Sequence, residues 1–173
     1  MENAENPGDD VFWPGGRLRF ELLTPAAAES LRSAIRLARE TRWESVRSPH
    51  VFMGLLASPD AGLRTWGQQL GADLPKLLDQ FQELFHQEEG AAEPTLALNR
   101  EFLSDNVIRL LRDAYTRATD NDRTQVTPMD ILISLLTAQN SIVAECFERI
   151  GVTAAKLTEL AVIAEHRAGA SRP

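Results

Sequence analysis

Apolar residues recur along most of this chain at the three-to-four spacing of a helix buried on one side. Thr24-Pro25 is a start signal, a good N-cap followed by a proline at the first helical position. Ala27, Leu31, Ala34, Ile35 and Ala38 then predict a helix fading near Arg42. Ser48-Pro49 repeats the signal, with Val51, Phe52, Leu55 and Leu56 as the buried stripe of a second helix. Ser58-Pro59 predicts the start of a third, carrying Leu63, Trp66 and Leu70 to a stop at Gly71. Asp73 caps a fourth, lined by Leu74, Leu77, Leu78, Phe81, Leu84 and Phe85. The pattern then restarts. Ser104 caps a fifth helix, Thr127-Pro128 opens a sixth, Asn140 or Ser141 a seventh that stops at Gly151, and Thr153 an eighth.

The second set of helices copies the first. Eighty residues separate Glu21 from Glu101, Leu23 from Leu103, Leu31 from Leu111, Val46 from Val126, Gly71 from Gly151 and Leu77 from Leu157. The copy runs without a gap through the most apolar stretch, residues 48–56, which falls on residues 128–136. A four-helix unit of about 60 residues is marginal alone. The expected architecture is therefore all-α, two tandem four-helix repeats packed about a pseudo-two-fold axis. The expected organisation is a tail over residues 1–19 and a double-repeat domain over 20–168. That domain divides into repeat one at 20–86, a polar connector broken by Gly and Pro at 87–101, and repeat two at 102–168. A short tail follows at 169–173. Within the first tail, Val11, Phe12 and Trp13 lie between turn signals. They are a strap packed on the body, part of a disordered tail, or a short partner-binding motif.

Composition narrows the function more than the fold. A formal charge of −7 and a pI near 5.0 disfavour nucleic acid and anionic lipid as partners. No apolar run approaches the roughly 18 residues that span a bilayer, and the acidic start is not a secretory signal. Cys146 is the only cysteine, so no internal disulfide forms and a reducing cytoplasm is the expected setting.

With those residues laid out, the chain resembles the amino-terminal domain of Clp ATPases, the double Clp repeat. The family form of the central segment is Thr-Glu-His-Leu-Leu-Leu-Gly-Leu-Leu. His50, Gly54, Leu55 and Leu56 match it directly, Val51, Phe52 and Met53 match in kind, and the second copy keeps Leu132, Leu135 and Leu136. The resemblance covers about residues 20–165. It implies a protein-binding module that docks adaptors or substrate segments as an adaptor or accessory factor for Clp-type proteolysis. The partners it implies are a Clp-type ATPase, an adaptor or a substrate peptide. The alternative is a free-standing module of the same fold that binds a small ligand or an unrelated protein. No phosphate-binding Gly-x-x-x-x-Gly-Lys-Ser/Thr loop occurs, so no ATP site is expected.

Catalytic chemistry is not expected either. His50, His86 and His166 are far apart and none opens a metal-ligand pair, so neither a metal nor a cofactor is expected. His50 is expected to bond backbone or a neighbouring loop at a helix start. Cys146 is expected to be a buried structural thiol on a face with Val143, Phe147 and Ile150. Glu88-Glu89 and Asp120-Asn121-Asp122 are expected to be solvated turns. The candidate partner-binding residues are those before the equivalent first and fifth helices, Phe20, Leu22 and Leu23 with Phe102 and Leu103. If the repeats pack symmetrically, these lie near the seam, where the resemblance implies a small apolar groove for peptides. The competing role is to staple the helix starts to the core. One departure matters. Some family members recognise phosphorylated arginine through the Glu before the central His. Pro49 and Met129 stand there, and neither pairs with a cation, so that recognition is not expected. Trp66 is expected in the core, or as an anchor for a partner if exposed.

Overall fold

The protein is seen here in a computed structural model that describes residues 10–90 and 94–170. Expectations for residues 1–9, 91–93 and 171–173 lie outside the described residues. The described chain is helical, in the order α1 (Pro25–Glu40), α2 (Ser48–Ala57), α3 (Ala61–Leu70), α4 (Leu74–Phe85), α5 (Asp105–Asp120), α6 (Pro128–Thr137), α7 (Ile142–Glu148) and α8 (Ala154–Ala170). Short 3-10 turns, Phe20–Leu22 and Arg100–Phe102, precede α1 and α5.

Side-chain caps fix most of the helix starts by accepting the backbone N–H three residues on. Thr24 does so for α1, Asp73 for α4, Ser104 for α5, Ser141 for α7 and Thr153 for α8. At α3 the structure corrects the reading of Ser58-Pro59. The cap is Asp60, whose carboxylate accepts the Leu63 N–H at 2.9 Å. The two long connections within the repeats match down to their backbone strain. Arg42 and Asp122, eighty residues apart, both take the left-handed conformation, at φ 68° and 59°, as do Gly71 and Gly151, at 75° and 90°. Gly71 ends α3. The chain leaves α7 earlier than periodicity implies, and Ile150, placed by the sequence on the apolar face, is 73% exposed.

The core is built around α2 and α6. Every residue from Pro49 to Leu56 and from Pro128 to Leu136 is buried, which is what an all-round apolar helix requires. Helix α1 packs along α2 and α5 along α6, while α4 covers α2 and α8 covers α6. The repeats also interlock. Helix α3 packs on α8, where the buried Trp66 donates its indole N–H to the Leu157 carbonyl at 3.1 Å. Phe52, Trp66, Phe81 and Phe147 make one aromatic cluster drawn from both repeats.

Two pairs of backbone contacts join the repeats, and they are mates under the same eighty-residue shift. Thr24 N–H donates to the Val126 carbonyl and Val126 N–H to that of Leu22; Ser104 N–H donates to the Val46 carbonyl and Val46 N–H to that of Phe102. The resulting bridges are Leu23 with Val126 and Val46 with Leu103. The pseudo-two-fold axis is therefore written in hydrogen bonds as well as in sequence.

Candidate functional site

The sequence-predicted residues lie at the two inter-repeat bridges, Phe20, Leu22 and Leu23 beside one and Phe102 and Leu103 beside the other. Each belongs to a 3-10 turn or to the residue after it. Leu22, Leu23 and Leu103 are buried, at 9%, 6% and 6% exposure. Phe20 and Phe102 are half-buried and rest against the core. Phe20 is roofed by the Arg32 guanidinium, 5.4 Å from the ring centroid. Leu23 and Leu103 are buried in the inter-repeat bridges, so neither can be changed to a charged residue without disturbing the fold.

Around the starts of α2 and α6 the two repeats solve one problem with different chemistry. In repeat one His50 is 1% exposed. Its Nδ1 accepts the Arg47 N–H at 3.0 Å, and its Nε2 lies 3.0 Å from the Thr41 hydroxyl. That hydroxyl donates to the Leu37 carbonyl at 2.7 Å, so it accepts from Nε2–H and the imidazole is neutral. Burial, with the nearby Arg47 charge, holds its pKa down to about 4. Trp43 meets the ring edge-on at 5.5 Å and donates its indole N–H to the Phe85 carbonyl.

In repeat two the same positions carry charge. Asp130 takes the place of His50, Arg123 that of Trp43, and Glu165 that of Phe85. Asp130 is fully buried. It accepts from Arg117, from Arg123 twice, and from the Thr127 backbone at 2.9 Å, while Arg117 also forks onto Glu165 at 2.7 and 2.8 Å. Burial raises the Asp130 pKa, but the hydrogen bonds from Arg123, Thr127 and Arg117 outweigh it and the net shift is downward. This lock was missed from sequence; the eighty-residue register that sets Asp130 opposite His50 was the available signal. We predict that Asp130→Asn costs about 2 kcal/mol, because it leaves two arginines short of a buried partner. Urea denaturation at neutral pH against the same titration at pH 3 checks this. Since the folded pKa is depressed, the carboxylate's contribution is present above the ordinary Asp value and fades as pH falls through the lowered one. The gap between variant and parent should narrow at acid pH.

A cleft lies beside each lock. One of about 100 Å³ is lined by Trp43, Pro49, His50, Phe85, Asn106 and Ile142; its counterpart of about 340 Å³ is lined by Arg123, Thr127, Met129, Glu165 and Gly62. Pro49 and Met129 face these clefts where the resemblance would have placed an acidic side chain. A third cleft, about 380 Å³, continues from the first along α5 past Asn106, Arg109 and Asp113. Among the described residues no group of three His, Cys, Asp or Glu side chains is placed to hold a metal ion, and no single helix is long and apolar enough to cross a membrane. Cys146 is half-buried. Burial pushes its thiol pKa up, and Glu145 adds to this against Arg149, so the thiolate is disfavoured. Trp66 lies in the core, not on the surface.

Comparison with known proteins follows the same outline. The profile of the Clp repeat (R) N-terminal domain matches residues 22–104 and again 102–168. Among solved structures, the N-terminal domain of the caseinolytic protease-associated chaperone ClpD from Arabidopsis thaliana is similar at 19% identity, with a TM-score of 0.64, over 83% of this chain and 94% of that one. The Hsp104 N-terminal domain from Candida albicans is similar at 15% identity, with a TM-score of 0.66, over 81% and 89%. A ClpV N-domain in complex with a VipB peptide is similar at 20% identity, with a TM-score of 0.61, over 84% and 89%. At these identities the likeness is one of fold. No curated protein is matched by sequence.

Proposed function

The chain belongs to the Clp repeat N-terminal domain family, and on that premise we propose that it is a non-catalytic, cytoplasmic module that receives segments of other proteins at the seam between its repeats. Its place would be that of an adaptor or accessory factor in Clp-type unfolding and proteolysis. The observation that supports this reading is that Phe20 and Phe102 are half-buried, each beside buried leucines at an inter-repeat bridge, Leu22 and Leu23 for one and Leu103 for the other. Partly exposed aromatic rings beside an inter-repeat junction suit an extended or helical segment with apolar anchors. A ClpV N-domain of this fold has been seen with a VipB peptide, which supports a peptide-binding role here. The acidic balance of the chain favours a basic segment around those anchors.

The test is capture with matched variants. The purified chain and its Phe20→Asp/Phe102→Asp double variant are used as baits for a Clp-type ATPase, its adaptors and their substrates. We expect the double variant to lose at least tenfold in recovered partner while its melting temperature moves by only a few degrees, since neither ring is fully buried. Equal recovery by the two baits would place the docking surface elsewhere.

A further inference from the structure

The hairpin before the first repeat fills a gap that the pseudo-symmetry leaves open. In repeat one Arg32 lies over Phe20. Its mate in repeat two, Arg112, has Arg100 where Phe20 would be, so the second repeat supplies no ring of its own. The ring present is Phe12. Arg100 and Arg112 both lie over it, each 5.7 Å from the centroid, and it is 1% exposed. Two residues earlier, Asp10 receives the Arg112 guanidinium at both carboxylate oxygens, at 2.9 and 3.0 Å.

The backbone of the hairpin is held as an added edge. It closes on itself through the Phe12–Leu18 bridge and the Arg19 N–H to the Val11 carbonyl. It attaches through the Leu18 N–H to the Leu98 carbonyl and the Arg100 N–H to the Gly16 carbonyl. The turn needs glycine at position 16: φ is 102°, and a Cβ there would lie 2.7 Å from the Asn99 side-chain oxygen.

We propose that the Arg100–Arg112 surface of repeat two is a receptor for a peptide segment with a carboxylate followed by two apolar residues, the second aromatic, and that the hairpin is its resident occupant in cis. The resident sequence Asp10-Val11-Phe12 shows the recognition chemistry. A bidentate guanidinium–carboxylate pair sets orientation, two cations lie over one aromatic ring, and the returning arm of the hairpin, Gly16 to Leu18, pairs with the backbone of residues 98–100. The two arginines stand out in a chain of net charge −7 and complement an acidic–aromatic segment. A partner with that pattern would compete with the hairpin and displace it. This site adjoins Phe20 and Phe102, since Arg100 shares a 3-10 turn with Phe102, but it is probed by different side chains.

The experiment uses the full chain and a fluorescein-labelled peptide of residues 10–19, read by anisotropy. We expect Phe12→Ala, which frees the surface, to bind the peptide at least tenfold more tightly than the unmodified chain. Phe→Ala in the peptide, or Arg112→Ala added to the variant, should abolish binding. Asp10→Arg is the second release variant, because it repels Arg112 without opening a core cavity; it should bind the peptide too. Absence of peptide binding by folded Asp10→Arg would overturn the proposal, as would equal binding by the unmodified chain. Dimerisation of the release variants by exchange of hairpins, with no peptide uptake, would also overturn it, by showing that only a second copy fills the site. Failure here leaves the capture test at Phe20 and Phe102 unaffected.

Discussion

Replacing Gly54 by alanine should lower stability by about 3 kcal/mol, at the upper end for overpacking a core. Helix propensity runs the other way, since alanine in a helix interior is favoured over glycine by about 1 kcal/mol. Contact geometry decides the sign. A Cβ on Gly54 would lie 2.2 Å from the backbone oxygen of Ser30 and 2.9 Å from the backbone nitrogen of Ala34. Both are fixed in α1, so no side chain can swing aside, and α1 must lift off α2. The second repeat supplies the control. Ser134 stands at the equivalent place, and α5 packs less closely on α6 than α1 does on α2. Ser134→Ala should therefore change stability by less than about 1 kcal/mol. Thermal and urea denaturation of both variants check the pair, with a drop of roughly 10 °C expected for the first. Equal effects at the two positions would show that helix separation is not what Gly54 protects.

Acidification should destabilise the protein before any carboxylate is reached. His50 is held neutral, with a folded pKa of about 4 against roughly 6.5 in an unfolded chain. Between those values the unfolded state binds the proton and the folded state does not, so stability falls as pH falls. The contribution is complete above about pH 6.5 and is lost progressively toward pH 4, on the order of 3 kcal/mol in all. The physical cause is visible at the ring. A proton on Nδ1 would point at the Arg47 N–H that now donates to it, inside a site closed by Trp43. His50→Asn keeps a short acceptor but does not titrate. Its stability should be lower at neutral pH and nearly flat between pH 6.5 and 4.5. An unchanged slope in that variant would assign the pH dependence to another group. The Asp130 cluster acts only at lower pH, so the two locks titrate in separate windows.

Much of the fold was legible because the signals were local and occurred twice. Thr24, Asp73, Ser104 and Thr153 cap helices where the sequence placed them, and the eighty-residue shift anticipated two four-helix repeats packed together. Ser58 misled because Ser-Pro and Thr-Pro open other helices here, and a carboxylate two residues on competed for the same amide. The hairpin of Val11 and Phe12 was one of three readings, since a two-armed turn this short has no periodicity to count. The depth of the candidate site residues was not legible: Leu22, Leu23 and Leu103 share apolar character with Phe20 and Phe102, and only tertiary packing divides the buried leucines from the half-buried rings. The Asp130 cluster gave no local sign, because Arg117, Arg123 and Glu165 come together only through α5, the following turn and α8.

The packing of α3 on α8 has a consequence for how the chain is made. On a ribosome the first repeat emerges complete, yet Trp66 has no acceptor for its indole N–H until Leu157 has been synthesised. At about 5–20 residues per second, the intervening stretch keeps that face of α3 waiting for several seconds. In a chain with Trp13 and Trp43 replaced by phenylalanine, Trp66 emission on stalled nascent chains would therefore reach its native value only once α8 leaves the exit tunnel, making one side chain a clock for the completion of the fold.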